Sequence, residues 1–128
     1  MNASTLHKIL YVEDEPDIQT IARLALQDIG GFDLCICNNG AEALETADAC
    51  RPDLLILDVM LPGMDGPATL AELRKKPALA TIPALFMTAK VQPRELEQLR
   101  AQGAVDVITK PFDPMTLAET VRQIWQKI

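Results

Sequence analysis

Residues 53–66, DLLILDVMLPGMDG, constrain the fold more than any other stretch of this chain. Four aliphatic side chains, Leu54 to Leu57, run without a polar break. Asp58 then brings a charge, and Pro62-Gly63 and Asp65-Gly66 turn the chain. A strand with one wet face alternates apolar and polar residues, whereas a short unbroken apolar run bounded by turn signals is covered on both faces. Helices flanking a parallel sheet provide that cover. A carboxylate at the mouth of such a strand lies on the carboxyl edge, where open α/β sheets carry their chemistry. Alone, Asp58 would be only the solvated start of a loop.

Two other segments change that reading. In ILYVEDE (residues 9–15) an apolar run ends in Glu13, Asp14 and Glu15 before Pro16. In VITKPF (residues 107–112) a strand-like stretch ends in Lys110 and Pro111. If these strands are parallel, their carboxyl ends share one sheet edge and several carboxylates converge beside one lysine. Like charges there repel by roughly 4 kcal/mol per pair at ~4 Å and an effective dielectric of about 20. A hard divalent cation with oxygen ligands resolves the conflict and leaves Lys110 for an anion.

The chain of 128 residues, 48% hydrophobic and 23% charged, fits one globular domain over 1–128, with its core in about 7–127. A net charge of −6 argues against nucleic acid, which clustered Lys and Arg would bind. No apolar stretch is long enough to span a bilayer and Met1 to Lys8 lacks a signal-peptide core, so a cytoplasmic location is expected. Three cysteines make no disulfide framework, and one histidine (His7) without a C-x-x-C pair makes no zinc site. Cys35, Cys37 and Cys50 are read as reduced thiols.

Strand and helix patterns alternate throughout. Strands are expected at about Lys8–Val12, Phe32–Cys37, Leu54–Leu57, Pro83–Thr88 and Val105–Thr109. The first helix opens at Pro16 with Ile18, Ile21, Ala22, Ala25 and Ile29 on one face, and stops at Gly30-Gly31. The second follows Asn39-Gly40, the third covers about Pro67–Lys76, and the fourth about Pro93–Gln102. Asp113-Pro114 caps and opens a fifth, bearing Leu117, Val121, Ile124, Trp125 and Ile128. Such alternation predicts an α/β fold, a doubly wound five-stranded parallel sheet with helices on both faces.

Four motifs in order, Glu13-Asp14, DVMLPGMDG (58–66), MTAK (87–90) and TKPF (109–112), resemble the receiver domains of bacterial two-component response regulators over essentially the whole chain. The resemblance implies the flavodoxin-like strand order 2-1-3-4-5. Asp58 would be the phosphoacceptor. Asp14, Asp58 and the Met60 backbone carbonyl would ligate Mg²⁺ (or Mn²⁺), with Glu13 acting through water. Lys110 would pair with the acyl phosphate and Thr88 would turn its hydroxyl toward it. Pro111 would follow a cis peptide bond that aims Lys110. Ala89, Lys90 and Val107 occupy switch or tuning positions. The implied partners are a sensor histidine kinase or histidine phosphotransfer protein and a downstream protein effector. No nucleic acid or membrane partner is implied, and the state is a monomer or a weak dimer through the 93–128 face.

Two residues depart from the family pattern. Glu13 stands where aspartate is more usual, and Val107 stands where a Tyr or Phe ring often changes rotamer on phosphorylation. Val107 keeps open a non-phosphorylated pseudo-receiver acting as an interaction module. A flavodoxin-like cofactor binder is disfavoured, because the acidic loop after the first strand would repel a cofactor phosphate. An aspartyl-phosphate hydrolase would need a second acid where Met60 stands, so slow self-dephosphorylation, not turnover of a metabolite, is expected.

Overall fold

The computed structural model describes residues 5–89 and 92–128. Among them, five strands form one sheet in the order β2-β1-β3-β4-β5: β1 Lys8–Val12, β2 Asp33–Cys37, β3 Leu54–Asp58, β4 Ala84–Thr88 and β5 Asp106–Thr109. Every neighbouring pair is parallel, with Val12 opposite Leu57 and Cys37, Asp58 opposite Met87, and Thr88 opposite Thr109. All five strands therefore finish on one edge. β1 and β3 are adjacent where the strand order reverses, which opens the crevice that this topology uses for ligands.

β3 is buried at every position, as its unbroken apolar run predicts. Alternate residues feed two cores. Ile9, Tyr11, Leu54, Ile56, Leu85, Met87 and Ile108 pack with helix α1 (Pro16–Ala22), its continuation Arg23–Ile29, and α5 (Leu117–Gln126). Leu10, Val12, Leu55, Leu57, Ala84 and Phe86 face α2 (Gly40–Cys50), α3 (Gly66–Leu73) and α4 (Pro93–Ala101). Each fully buried large side chain contributes roughly 1.5–3 kcal/mol, so the two layers hold the sheet rigid beneath its edge.

Local chemistry sets the helix starts. Asn39 caps α2 by accepting from the Glu42 N–H at 2.8 Å, and Asp65 caps α3 by accepting from Ala68 N–H at 2.8 Å. Pro16 and Pro93 open α1 and α4.

Four expectations need correction. The first helix does not continue as one α-helix: Arg23–Ile29 is π-helical, with Gly30 N–H bonding Ala25 C=O. Bonding five residues back adds about one residue per turn, which moves the buried stripe to Ala22, Ala25 and Leu26. Ile21 and Ile29, expected inside, are about 40% exposed. The last helix begins at Leu117, because Asp113 instead closes a turn, accepting from the Met115 N–H at 2.9 Å. Ile128 lies beyond its end and is exposed, while Trp125 packs half-buried against the core.

The cysteines are the fourth correction. Cys35 and Cys50 form a disulfide with a Cα–Cα distance of 6.5 Å, and Cys37 alone is free and buried. α2 runs back over the face of β2 that carries Cys35 and Cys37, so its last residue comes to rest above Cys35. Burial pushes the Cys37 thiol pKa up, partly offset by a hydrogen bond with Thr46.

Candidate functional site at the carboxyl edge of the sheet

Pleat parity decides which side chains meet. Tyr11, Ile56 and Ile108 point to the α1/α5 face, and the same rows continue upward into Glu13, Asp58 and Lys110. The backbone ladder carries the alternation past the strand ends: Glu13 N–H bonds Cys37 C=O at 3.0 Å and Lys110 N–H bonds Thr88 C=O at 2.8 Å. Lys110 Nζ consequently lies 3.1 Å from Asp58 Oδ2 and 3.3 Å from Glu13 Oε1. Both acids are buried, Glu13 completely and Asp58 to within 4%. A buried charge persists only when paired, and here one ammonium serves two carboxylates.

The second oxygen of Glu13 accepts from the Glu15 N–H at 3.2 Å. Gln19 holds the loop from α1, donating to Glu13 C=O at 2.6 Å and to the Asn38 side chain at 2.8 Å. Burial lifts the Glu13 pKa. The Glu15 N–H opposes that lift, the Asp58 charge adds to it, and Lys110 lowers it, with a net rise. For Lys110, burial disfavours the ammonium, but the hydrogen bond and charge of Asp58, followed by those of Glu13, outweigh burial and hold its pKa above the ordinary value.

Asp14, one residue on, has the opposite parity and is exposed. Even so, one carboxylate oxygen each from Glu13, Asp14 and Asp58 lies within 4.8 Å of the other two, the one such cluster among the described residues. Three hard, anionic oxygens at that spacing match a small divalent cation that takes one or two carboxylates and keeps several waters. The donor set therefore fits Mg²⁺.

The loop from Val59 to Asp65 closes with Gly66 N–H on Val59 C=O at 2.9 Å. Gly66 is needed there: a Cβ would sit 2.5 Å from the Asp58 carbonyl oxygen. Within this loop Met60 follows Asp58 by two residues, with its side chain 68% exposed. Asp65, read as a plain turn residue, is the α3 cap.

Thr88 ends β4, buried, and Ala89 beside it is exposed. Lys90 falls outside the described residues. Val107 is half-buried on the α3/α4 side, against the core that includes Phe86. The Lys110–Pro111 peptide is cis, as expected. The sequence reading did not single out Gln19, whose two bonds depend on α1 crossing the edge. It also missed Tyr11, whose hydroxyl is the only buried side-chain polar atom among the described residues without a hydrogen-bond partner.

Comparison with known proteins agrees with this fold. The family model for the response regulator receiver domain matches residues 9–122. The alkaline phosphatase synthesis transcriptional regulatory protein PhoP of Bacillus subtilis is 37% identical over 120 residues, 94% of this chain but 49% of its own length. An uncharacterised 14.6 kDa protein of Leptolyngbya boryana is 35% identical, covering 90% of this chain and 87% of its own. The chain thus spans about half of several longer regulators and most of that small relative. Among solved structures, the chemotaxis response regulator CheY4 of Vibrio cholerae superposes with a TM-score of 0.85 at 32% identity, covering 94% of this chain and 99% of its own. No helix among the described residues is long and apolar enough to cross a membrane. A parallel sheet of order 2-1-3-4-5, an acidic cluster with a lysine at its carboxyl edge, and a family match over nearly the whole chain make this protein a member of the response regulator receiver family of two-component systems.

Proposed function

We propose that Asp58 accepts a phosphoryl group from the phosphohistidine of a sensor histidine kinase or a histidine phosphotransfer protein, and that the change switches a protein-binding surface. The observation carrying this reading is Lys110 Nζ held 3.1 Å from Asp58 inside the only carboxylate cluster among the described residues. An Asp58 oxygen attacks phosphorus. The new P–O bond forms as the P–N bond breaks, the imidazole leaves, and Asp58 becomes an acyl phosphate. Two anions must meet in this step, so positioning and charge neutralisation do most of the work.

Asp14, Asp58 and the Met60 carbonyl would hold Mg²⁺ (or Mn²⁺), with Glu13 one water removed. The bound ion would offset charge on the acceptor and phosphoryl oxygens. Lys110 needs only to turn from Glu13 to pair with the new phosphoryl oxygens, which bring strong acceptors and added negative charge. Thr88, at the adjacent strand end, supplies a hydroxyl for the same group. Pro111 fixes the backbone behind Lys110, Ala89 and Val107 lie along the path by which the change reaches α4 and β5, and Lys90 would tune the phosphoryl lifetime.

We further infer a cytoplasmic signalling protein without metabolic turnover, showing only self-phosphorylation and slow self-dephosphorylation. Its effector contact lies in the 93–128 face, through which it stays monomeric or dimerises weakly. Exposure to acetyl phosphate with Mg²⁺, followed by intact mass, tests the reading. One added phosphoryl group, absent in Asp58→Asn, supports it. The pseudo-receiver is favoured by one feature, the ring-less Val107, and no mass gain in the wild type would select it.

A further inference from the structure

Tyr11, the penultimate residue of β1, packs in the core with its hydroxyl unpartnered. It is fully buried, and no group among the described residues bonds its hydroxyl. Folded proteins seldom leave a buried donor unmade, and an exception calls for a specific reason. Its position supplies one. Tyr11 precedes Glu13 by two residues, so the two side chains share a face of β1, about 6.7 Å apart along the strand. Tyr11 therefore belongs to the row of buried side chains on the α1/α5 face that ends in Glu13 at the sheet edge. A phenol O–H is a hydrogen-bond donor.

The resting partner of Glu13 Oε1 is Lys110, at 3.3 Å. That partner is shared with Asp58, and it is the group that must leave when a cation or a phosphoryl group enters. Glu13 is fully buried, so losing Lys110 would strand one oxygen of a charged carboxylate away from solvent. We propose that Tyr11 is a positioning residue for Glu13: its hydroxyl, idle in the resting site, donates to the Glu13 carboxylate once Lys110 turns away, keeping that acid paired and oriented toward the cation. This rests on the cation site of the proposed function. It extends that reading to a residue outside the four motifs and gives the unmade hydrogen bond a use.

The chain contains one tyrosine, so the Raman Fermi doublet of tyrosine reports this hydroxyl alone. Adding Mg²⁺ to the intact protein should move the doublet from the pattern of an unbonded hydroxyl to that of a donor. An unchanged doublet in a protein that binds Mg²⁺ overturns the proposal. Calorimetric Mg²⁺ titration of Tyr11→Phe, Glu13→Gln and the double variant provides the second test. Tyr11→Phe should bind about five- to tenfold more weakly with undiminished stability in chelator. The double variant should bind no more weakly than Glu13→Gln alone. Equal affinity in Tyr11→Phe, or a loss that persists without Glu13, overturns the role of Tyr11 and leaves the phosphoacceptor reading standing. A wild type without Mg²⁺ affinity overturns both.

Discussion

Lys110 carries two buried carboxylates, and replacing it with methionine tests how much of the resting site depends on that one charge. At an effective dielectric near 20, contacts of 3.1 and 3.3 Å correspond to roughly 5 kcal/mol of attraction each. The whole of that is not forfeited, because Glu13 can bind a proton instead of remaining a bare anion. Its pKa is already raised, chiefly by burial. Removing one partner of a buried ion pair costs about 3–5 kcal/mol, and because Glu13 can take up a proton, Lys110→Met should lose about 3 kcal/mol at pH 7 in chelator. That is a large share of the ~5–15 kcal/mol holding a domain together.

Urea denaturation followed by circular dichroism measures the loss. Its pH dependence follows from the sign of the shift. A carboxyl whose folded pKa is raised binds more protons folded than unfolded, so stability falls as pH rises from about 4.5 through the folded value. Lys110→Met raises that value further, so its deficit against wild type should be small near pH 4.5 and grow toward pH 7. Mg²⁺ should then restore the variant more than the wild type. A cation at a hundred times its Kd adds ~2.7 kcal/mol, and the variant has no ammonium competing for the carboxylates. A deficit under about 1 kcal/mol at pH 7 in chelator, or one that does not change with pH, would refute the reasoning.

Three further outcomes follow from particular contacts. Asp58→Asn should abolish phosphoryl gain by intact mass yet match or slightly exceed wild-type stability in chelator. Within 4.8 Å its carboxylate meets two like charges at roughly 3.5 kcal/mol or more each, against about 5 kcal/mol from Lys110, although solvent screens the share of exposed Asp14. Gly66→Ala should cost about 1–3 kcal/mol and weaken Mg²⁺ binding in titration, because its methyl would press on the Asp58 carbonyl oxygen and on Val59 Cα. Reduction of the Cys35–Cys50 bridge, which closes a separation of 15 residues, should lower stability by up to ~3 kcal/mol in denaturant titrations. Cys35→Ser should be insensitive to reductant.

The sheet was legible because its strands are short apolar runs between turn residues. Val12, Asp58 and Lys110 could be set at strand ends from sequence, and periodicity alone made the strands parallel. Their order came from the resemblance, since nothing in the alternation of apolar residues says which strand lies beside which. What stayed hidden depends on how helices cross the sheet. The π-helical segment moved burial from Ile21 and Ile29 to Leu26, because apolar residues occupy both candidate stripes. The disulfide escaped because Cys35 and Cys50 meet only once α2 folds back over β2. Asp113 carried a cap signal that a turn satisfied as well as a helix does.

The substitution of glutamate for aspartate at position 13 acquires a reason from the strand order. Lys110 leaves β5, and Glu13 leaves β1, three strands away across β4 and β3. Neighbouring strands lie about 4.8 Å apart, so the two backbones are separated by roughly 14 Å. Asp58, on β3, is met along the way at 3.1 Å. The remaining gap is closed by the longest reach available on each side, the four-carbon lysine stem and the extra methylene of glutamate, and the pair still stands at 3.3 Å. A shorter acid at position 13 would leave Lys110 to Asp58 alone and leave a buried carboxylate without its cation. Glu13 thus makes the resting lysine a bridge rather than a partner of the acceptor only. The bridge in turn requires that Glu13 find another donor when Lys110 is drawn to a phosphoryl group.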